Sequence, residues 1–261
     1  MNIARFRSQG RVRYGVVEGE SVTDIRGSPF RGEVRLSSRR RRLSAVVLLP
    51  VTSPIQVFGG VGVNYRDHLA QAEESSDLPF SKMGIQPFPK SNASLTGSGS
   101  PIVLTQEAGE AHYEGELVVV IGRRARRISR ERALDYVLGY TCGNDVTEKR
   151  SWEKDYSDWR AKGLPTWGPV GPWITTHVEP GNLDVTVRLN GRVEHRFNTG
   201  DMIHDVPSIV AYISQYTTLF PGDLIFTGTS GSTNAMKPGD VVEVEISGIG
   251  TLRNPVLMEN E

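Results

Sequence analysis

The sequence predicts a mixed, mainly β fold with a few helices, on three observations. Among 261 residues stand 28 glycines and 15 prolines, and many of them flank short Val/Ile/Leu runs, as in a protein of strands and turns rather than a helical bundle. Apolar stretches such as ELVVVI and VVEVEI are short and either continuous or alternating, which suits strands. Helical periodicity is confined to DHLAQAEESS, SRERALDYVLGYT and VPSIVAYISQYT. A chain of this length buries a substantial core, either as one large domain or as a catalytic domain with an appendage. The division expected is a small β-rich N-terminal domain over 1–52 and a larger domain over 53–261.

In chain order, IARF, VRYGVVEG with a turn at Glu18-Gly19-Glu20, and SVTDI read as short strands. The basic run SRRRR, Ser38 to Arg42, reads as a solvated loop rather than an anion-binding patch. AVVLLP and IQVFGGVGVNY predict buried strands leading into a glycine-rich turn, and the pattern becomes helical from Asp67, which delivers His68 onto a loop or short helix. Asp77 to Gly99 is rich in Pro, Ser, Gly and Asn, too irregular for a core element, and is expected to be a lid. HYEGELVVVIG predicts a strand. SRERALDYVLGYT predicts a helix with apolar residues at Ala133, Leu134, Val137 and Leu138, before an extended YTCGNDVT. LDVTVRLNGRVEHRF predicts a hairpin turning at Asn190-Gly191, VPSIVAYISQYT an amphipathic helix, and VVEVEISGIGTLRNPV a β-rich tail.

Composition excludes several classes of function. Lysine plus arginine equal aspartate plus glutamate at 30 each, so no global field points to nucleic acid or to an anionic membrane. The single cysteine, Cys142, forms neither an intramolecular disulfide nor a zinc knuckle, as in a reducing compartment. The N-terminus lacks the apolar stretch of a signal peptide, and no run approaches the ~18 apolar residues of a membrane span. A cytoplasmic protein is expected. GGVGVN lacks the three-glycine spacing of a dinucleotide site, and neither a Gly-x-Ser-x-Gly elbow nor a phosphate loop is present. The histidines His112, His177, His195 and His204 show no zinc-ligand spacing.

The candidate chemistry lies in carboxylates. Residues i and i+2 of a strand share a face, so Glu114 and Glu116 of YEGEL stand side by side with Gly115 facing the other way. Such a pair is commonly a wet outer face. Here the apolar run Val118 to Ile121 predicts a strand buried on both faces, where two carboxylates require a partner such as a hard divalent cation. Asp145, in CGNDVT, follows a strand at a turn that either projects its side chain inward or forms a structural Asx-turn. Lys90 and Lys162 lie in irregular segments where a lysine is drawn toward a buried anion or is simply solvated. His68 is either a proton shuttle or a loop residue bonded to its neighbours.

Taken in order, GVNYRDH, FPKSNASLTG, YEGELVVVIG, GYTCGNDVT, AKGLPTWGPVGPWI, FNTGDMI, PGDLIFTGT and KPGDVVEVEISGIGTLRNPV resemble the fumarylacetoacetate hydrolase family over about residues 55–256. The resemblance implies a mixed β-sandwich-roll catalytic domain, a homodimer, and Mg²⁺ or Mn²⁺ (Ca²⁺ as a substitute) held by Glu114, Glu116 and Asp145. It makes Lys162 the lysine near the substrate oxyanion, His68 the general base on the lid, and Thr229 a residue lining the substrate carboxylate site. Lys90 and Tyr65 are assigned to the substrate as well. The reaction implied is cleavage of a carbon-carbon bond in an acylpyruvate-like 2-oxo acid through a metal-bound enolate. Hydration, isomerisation or decarboxylation at the same metal is the alternative, and a non-catalytic metal- and ligand-binding role comes last.

Three positions depart from the family pattern. The glutamate that commonly pairs with the lid histidine is Gln71, with Glu73 and Glu74 slightly further on. Glutamine orients an imidazole but cannot stabilise imidazolium by charge. Pro165 replaces an aspartate in KGLPTW, and Ser230 replaces the proline of the usual GTP. These changes bear on the reaction and its specificity more than on the metal ligands.

Overall fold

The computed structural model describes the backbone of residues 1–75, 80–106, 108–152, 155 and 157–259, with side chains outside 71–81, 107, 152–154, 156 and 260–261. The N-terminal alternation folds into antiparallel β1 (Asn2–Ser8), β2 (Arg11–Glu18) and β3 (Ser21–Ile25), with Gly19 at φ +56° in the expected turn. The basic run departs from the expected loop. It is β4 (Leu36–Arg42), an edge strand on β3, because Asp24 gives Arg41 and Arg13 a buried carboxylate to reach and the remaining arginines keep the edge in water.

Next come β5 (Val47–Leu48), β6 (Val57–Gly59), α1 (Arg66–Ser75) and α2 (Phe80–Met83). Asp77 to Gly99 is only partly the irregular connection expected. It supplies β7 (Phe88–Lys90), paired with β6, and β8 (Leu95–Thr96), while residues 76–79 lie outside the described residues. Gly59 explains the pairing. A Cβ there would sit 1.9 Å from the Phe88 ring, so the glycine opens the space that the ring fills.

After β9 (Ile102–Leu104) and β10 (Ala111–His112), the apolar run forms β11 (Gly115–Ile121) and pairs with β12 (Val137–Asn144). The expected helix between them is a 3₁₀ segment, Arg130–Tyr136, and Val137 and Leu138 belong to the strand. The β-branched Val137 and Thr141 favour extended backbone, Gly139 disfavours a helix, and pairing with β11 satisfies their main-chain groups. Then follow β13 (Thr147–Glu148), α3 (Lys149–Trp152), α4 (Trp159–Lys162) and β14 (Gly168–Thr175). The expected hairpin is β15 (Asp184–Leu189) and β16 (Arg192–Asn198), with Asn190 and Gly191 both at positive φ, as a tight hairpin turn demands. The expected amphipathic helix is α5 (Val206–Tyr216), capped by the Asp205 side chain. The chain ends in β17 (Leu224–Phe226), β18 (Val241–Ile246) and β19 (Gly250–Met258).

Among the described residues one long sheet runs β4-β3-β2-β1-β14-β12-β11-β17-β6-β7, with β5 on β1 and β8 on β14. The N-terminal strands are thus continuous in hydrogen bonding with the rest, through β1 on β14. A second sheet, β16-β15-β18-β19-β9, packs against it. Strand β11 lies between two cores. Leu117, Val119 and Ile121 pack with Val187, Val244 and Leu252 of the second sheet, whereas Val118 and Val120 pack with Val57, Val170 and Phe226 inside the rolled main sheet. Glu116 shares the parity of Val118, so its carboxylate enters the roll.

Candidate active site

Glu114 and Glu116 flank Gly115 at the start of β11. A Cβ on Gly115 would lie 2.5 Å from Val187 Cγ2, so the second sheet closes against glycine while the carboxylates turn the other way. Asn144, at the end of β12, fixes Glu114 by accepting its N–H at 2.8 Å, and the Asp145 N–H donates to the Glu114 carbonyl at 2.9 Å. The turn aspartate therefore points inward rather than serving only the turn. One oxygen atom from each of Glu114, Glu116 and Asp145 lies within 4.8 Å of the others, and all three residues are buried.

Both candidate lysines enter the same cluster, and neither sits in an irregular loop. Lys162 ends α4, and its Nζ donates to Glu114 Oε2 at 2.8 Å and to Asp145 Oδ2 at 2.7 Å. Lys90, on β7, brings its Nζ 2.8 Å from Asp145 Oδ1 and donates to the Lys162 carbonyl. Burial alone would discharge these groups, but the charges answer one another. It opposes the Lys162 ammonium, yet Asp145, Glu114 and Glu116 together raise that pKa well above its ordinary value. It likewise opposes the Glu114 carboxylate, which Lys162, Lys149 and His68 hold well below the usual range. Burial lowers Lys90, with Asp145 acting against it.

Glu116 is the exception. Burial, reinforced by Asp145, pushes its carboxyl well above the usual range, although the Gly228 N–H donates to its Oε2 at 2.7 Å. With Glu116 ionised, three buried carboxylates against two buried lysines would leave negative charge in excess. That residual charge and the all-oxygen donor set fit a hard divalent cation, which would favour the ionised form of Glu116.

His68 lies in the first turn of α1. Burial lowers its pKa, and Glu114, Lys149 and Lys162 are the charges that act on it most strongly, so the fold brings it within electrostatic reach of the cluster. Its buried Nδ1 finds no hydrogen-bond partner among the described residues. Tyr65 is buried edge-on to Phe197 at 5.0 Å, with a hydroxyl that finds no hydrogen-bond partner among the described residues and a pKa raised by burial and by Glu116. Thr229 is buried in the turn after β17, next to Gly228. The side chain of Gln71 lies outside the described residues, as do those of Glu73 and Glu74.

Sequence reasoning missed several members of the site. The Thr147 hydroxyl donates to Glu114 Oε1 at 2.7 Å, and Lys149 Nζ lies 3.6 Å from the same oxygen. Proximity to Asp145 in NDVTEK was the only signal for either. Asp158, at φ +57° before α4, has its pKa raised to about 6 by burial, with Lys162 opposing. No spacing marks it.

Fold and site together define a class, a mainly β protein with a buried carboxylate cluster suited to a divalent cation. The chain belongs to the fumarylacetoacetate hydrolase family. Residues 58–257 match the family described as Fumarylacetoacetate (FAA) hydrolase C-terminal, and residues 1–50 match Rv2993c-like, N-terminal. Over the whole of both chains it is 38% identical to Protein Rv2993c of Mycobacterium tuberculosis. It superposes on 5-carboxymethyl-2-hydroxymuconate delta-isomerase from Mycobacterium smegmatis with a TM-score of 0.90 at 35% identity, covering 99% of this chain and 100% of that one. It also superposes on maleylpyruvate hydrolase from Sphingobium sp. SYK-6, a complex with manganese(II) and pyruvate, with a TM-score of 0.81 at 28% identity over 100% of both chains. The family thus includes hydrolases and isomerases. No helix among the described residues is long and apolar enough to cross a membrane.

Proposed function

We propose that this protein is a divalent-metal-dependent enzyme that cleaves a carbon-carbon bond in an acylpyruvate-like 2-oxo acid. The observation that carries the reading is the convergence of Lys162, still charged although buried, on Glu114 and Asp145 beside His68. Glu114, Glu116 and Asp145 would hold Mg²⁺ or Mn²⁺, which supplies Lewis acidity toward the carboxylate and keto oxygens of a 2-oxo acid. The manganese and pyruvate bound by the related maleylpyruvate hydrolase support that choice of ligand chemistry.

The chain's own groups then divide the work. Lys162 places a fixed positive charge where negative charge develops on the 2-oxo oxygen, inside a buried site where that charge is weakly screened. His68, which burial keeps neutral, takes a proton from water as the water oxygen adds to the distal carbonyl. The carbon-carbon bond breaks with its electron pair on the pyruvate-like fragment, and that carbon is then protonated. Tyr65, Thr229 and Lys90 line the substrate. Gln71 in place of a charged partner for His68, together with the isomerase similarity, favours hydration, isomerisation or decarboxylation as the second reading, and decarboxylation in particular needs no water activated by that base.

The test is a panel of acylpyruvates and other 2-oxo acids given to the Mn²⁺-loaded protein, with products read by mass spectrometry. Hydrolysis yields two acids that together carry one added water. The Asp145→Ala variant should lose Mn²⁺ binding and at least ~100-fold in kcat/KM. A fully active Asp145→Ala protein overturns the site, and a single product of unchanged mass replaces hydrolysis by isomerisation.

A further inference from the structure

The mechanism leaves unused a hydrogen-bonded device on the turn that follows β17. That turn, Thr227 to Gly231, makes several anchoring contacts. The Thr227 hydroxyl donates to the Leu117 carbonyl on β11 at 2.8 Å, and the Gly228 N–H donates to Glu116 Oε2 at 2.7 Å. Two residues on, the buried Ser230 hydroxyl lies 2.7 Å from Asp67 Oδ2 and 2.9 Å from Oδ1. Asp67 in turn accepts the N–H of His68 through Oδ1 at 2.8 Å. Burial raises the Asp67 carboxyl, but the Ser230 hydroxyl and the backbone N–H groups of His68 and Gly231 outweigh it and hold the group ionised.

One short turn therefore grips both the Glu116 carboxylate and the first turn of the helix that carries His68. Elsewhere that helix start is held by backbone contacts of its neighbours, since Tyr65 bridges to Met202 and the Ile203 N–H donates to the Asn64 carbonyl. The Asn64 side chain, two residues before the helix, also donates to the Thr227 carbonyl at 2.7 Å, and the Asp67 carboxylate is a contact that α1 itself makes with the β17 turn. Proline, which the family pattern places at position 230, has no hydroxyl to make it.

We infer that Ser230 and Asp67 form a latch that positions His68 over the carboxylate cluster. Ser230 is a positioning residue in this device, acting through Asp67. The inference rests on the proposed role of His68, but the contact itself does not. Without the hydroxyl, α1 remains helical and its tie to the β17 turn through Asp67 is reduced to the Gly231 N–H, so the imidazole samples a wider range of positions while the carboxylate cluster is untouched.

The experiment compares wild type with Ser230→Ala by amide hydrogen exchange over 66–70, by Mn²⁺ titration calorimetry and by steady-state kinetics. A hydrogen bond from a buried hydroxyl to a carboxylate is lost, so exchange at His68 should quicken about tenfold and kcat should fall about tenfold. KM and Mn²⁺ affinity should stay within about twofold, a split that a general loss of structure would not produce. Ser230→Thr, which keeps a hydroxyl, should recover most of the rate. Asp67→Ala, which also removes the Gly231 contact, should show the same effects at equal or larger size, and the double variant should be no worse than Asp67→Ala alone. If Ser230→Ala fails to fold, Asp67→Ala carries the same comparison. Unchanged His68 exchange in the variant overturns the latch, as does a parallel loss of Mn²⁺ affinity. Should wild type turn over no 2-oxo acid, the exchange and calorimetry still decide the latch, and only the proposed function falls.

Discussion

Two local concentrations of like charge meet opposite fates. The acidic one, Glu114-Gly115-Glu116 with Asp145, enters a strand buried on both faces, where Glu114 and Asp145 are drawn into contact with Lys162 and Lys90. The basic one, Ser38 to Arg42, forms the outermost strand of the same sheet, where Arg41 and Arg13 reach the single buried carboxylate of Asp24. Position in the sheet decides the difference. At the edge, water screens each arginine and the pairing is local, whereas at the centre every charge needs a protein or metal partner. Charge crowded into the middle of a sheet signals chemistry, and charge along its rim signals protection of an edge.

The largest effect that would break this contrast is expected from Lys162→Met. The variant leaves Glu114 and Asp145 without their closest cation, at a cost of ~3–5 kcal/mol in urea unfolding of the metal-free protein. Saturating Mn²⁺ should restore a substantial part of that loss by binding the folded state. Unchanged stability without metal would mean that the buried cluster is no more demanding than the rim.

A smaller effect follows from Glu116. Because burial and Asp145 raise its carboxyl, the protonated form is favoured without metal, so metal binding is expected to release a proton and affinity to rise with pH. One proton per ion gives up to about a tenfold gain in affinity per pH unit. Calorimetry in buffers of different ionisation enthalpy reads the proton directly, and a pH-independent affinity with no proton release contradicts the assignment. The smallest effect is expected at the rim. Arg41→Ala should cost less than ~1 kcal/mol, because Arg13 remains 3.5 Å from Asp24 and the pair is partly solvated. A loss as large as that of Lys162→Met would erase the distinction.

Much of this was legible in the sequence because it rests on local periodicity. Alternation put Glu114 and Glu116 on one face, the Asn190-Gly191 pair announced its hairpin, and apolar spacing announced α5. Where local patterns were ambiguous, tertiary pairing overrode them. Val137 and Leu138 fit a helix but pair with β11, and the arginine run looks like a loop but pairs with β3. Lys90 looked like part of a lid because Pro89 and the neighbouring serine and asparagine obscure a strand that β6 completes.

The sequence by itself determined the mainly β class, the three carboxylates, and the histidine and lysines to consider with them, since residue chemistry and a period of two are local properties. Only the tertiary structure decided that Lys162, 48 positions from Glu114, shares its carboxylate, and that Ser230, 163 positions from Asp67, ties down the helix of His68. Such contacts depend on which strands become neighbours in the rolled sheet. That outcome is set by the packing of β11 between two cores, which no short window of residues contains.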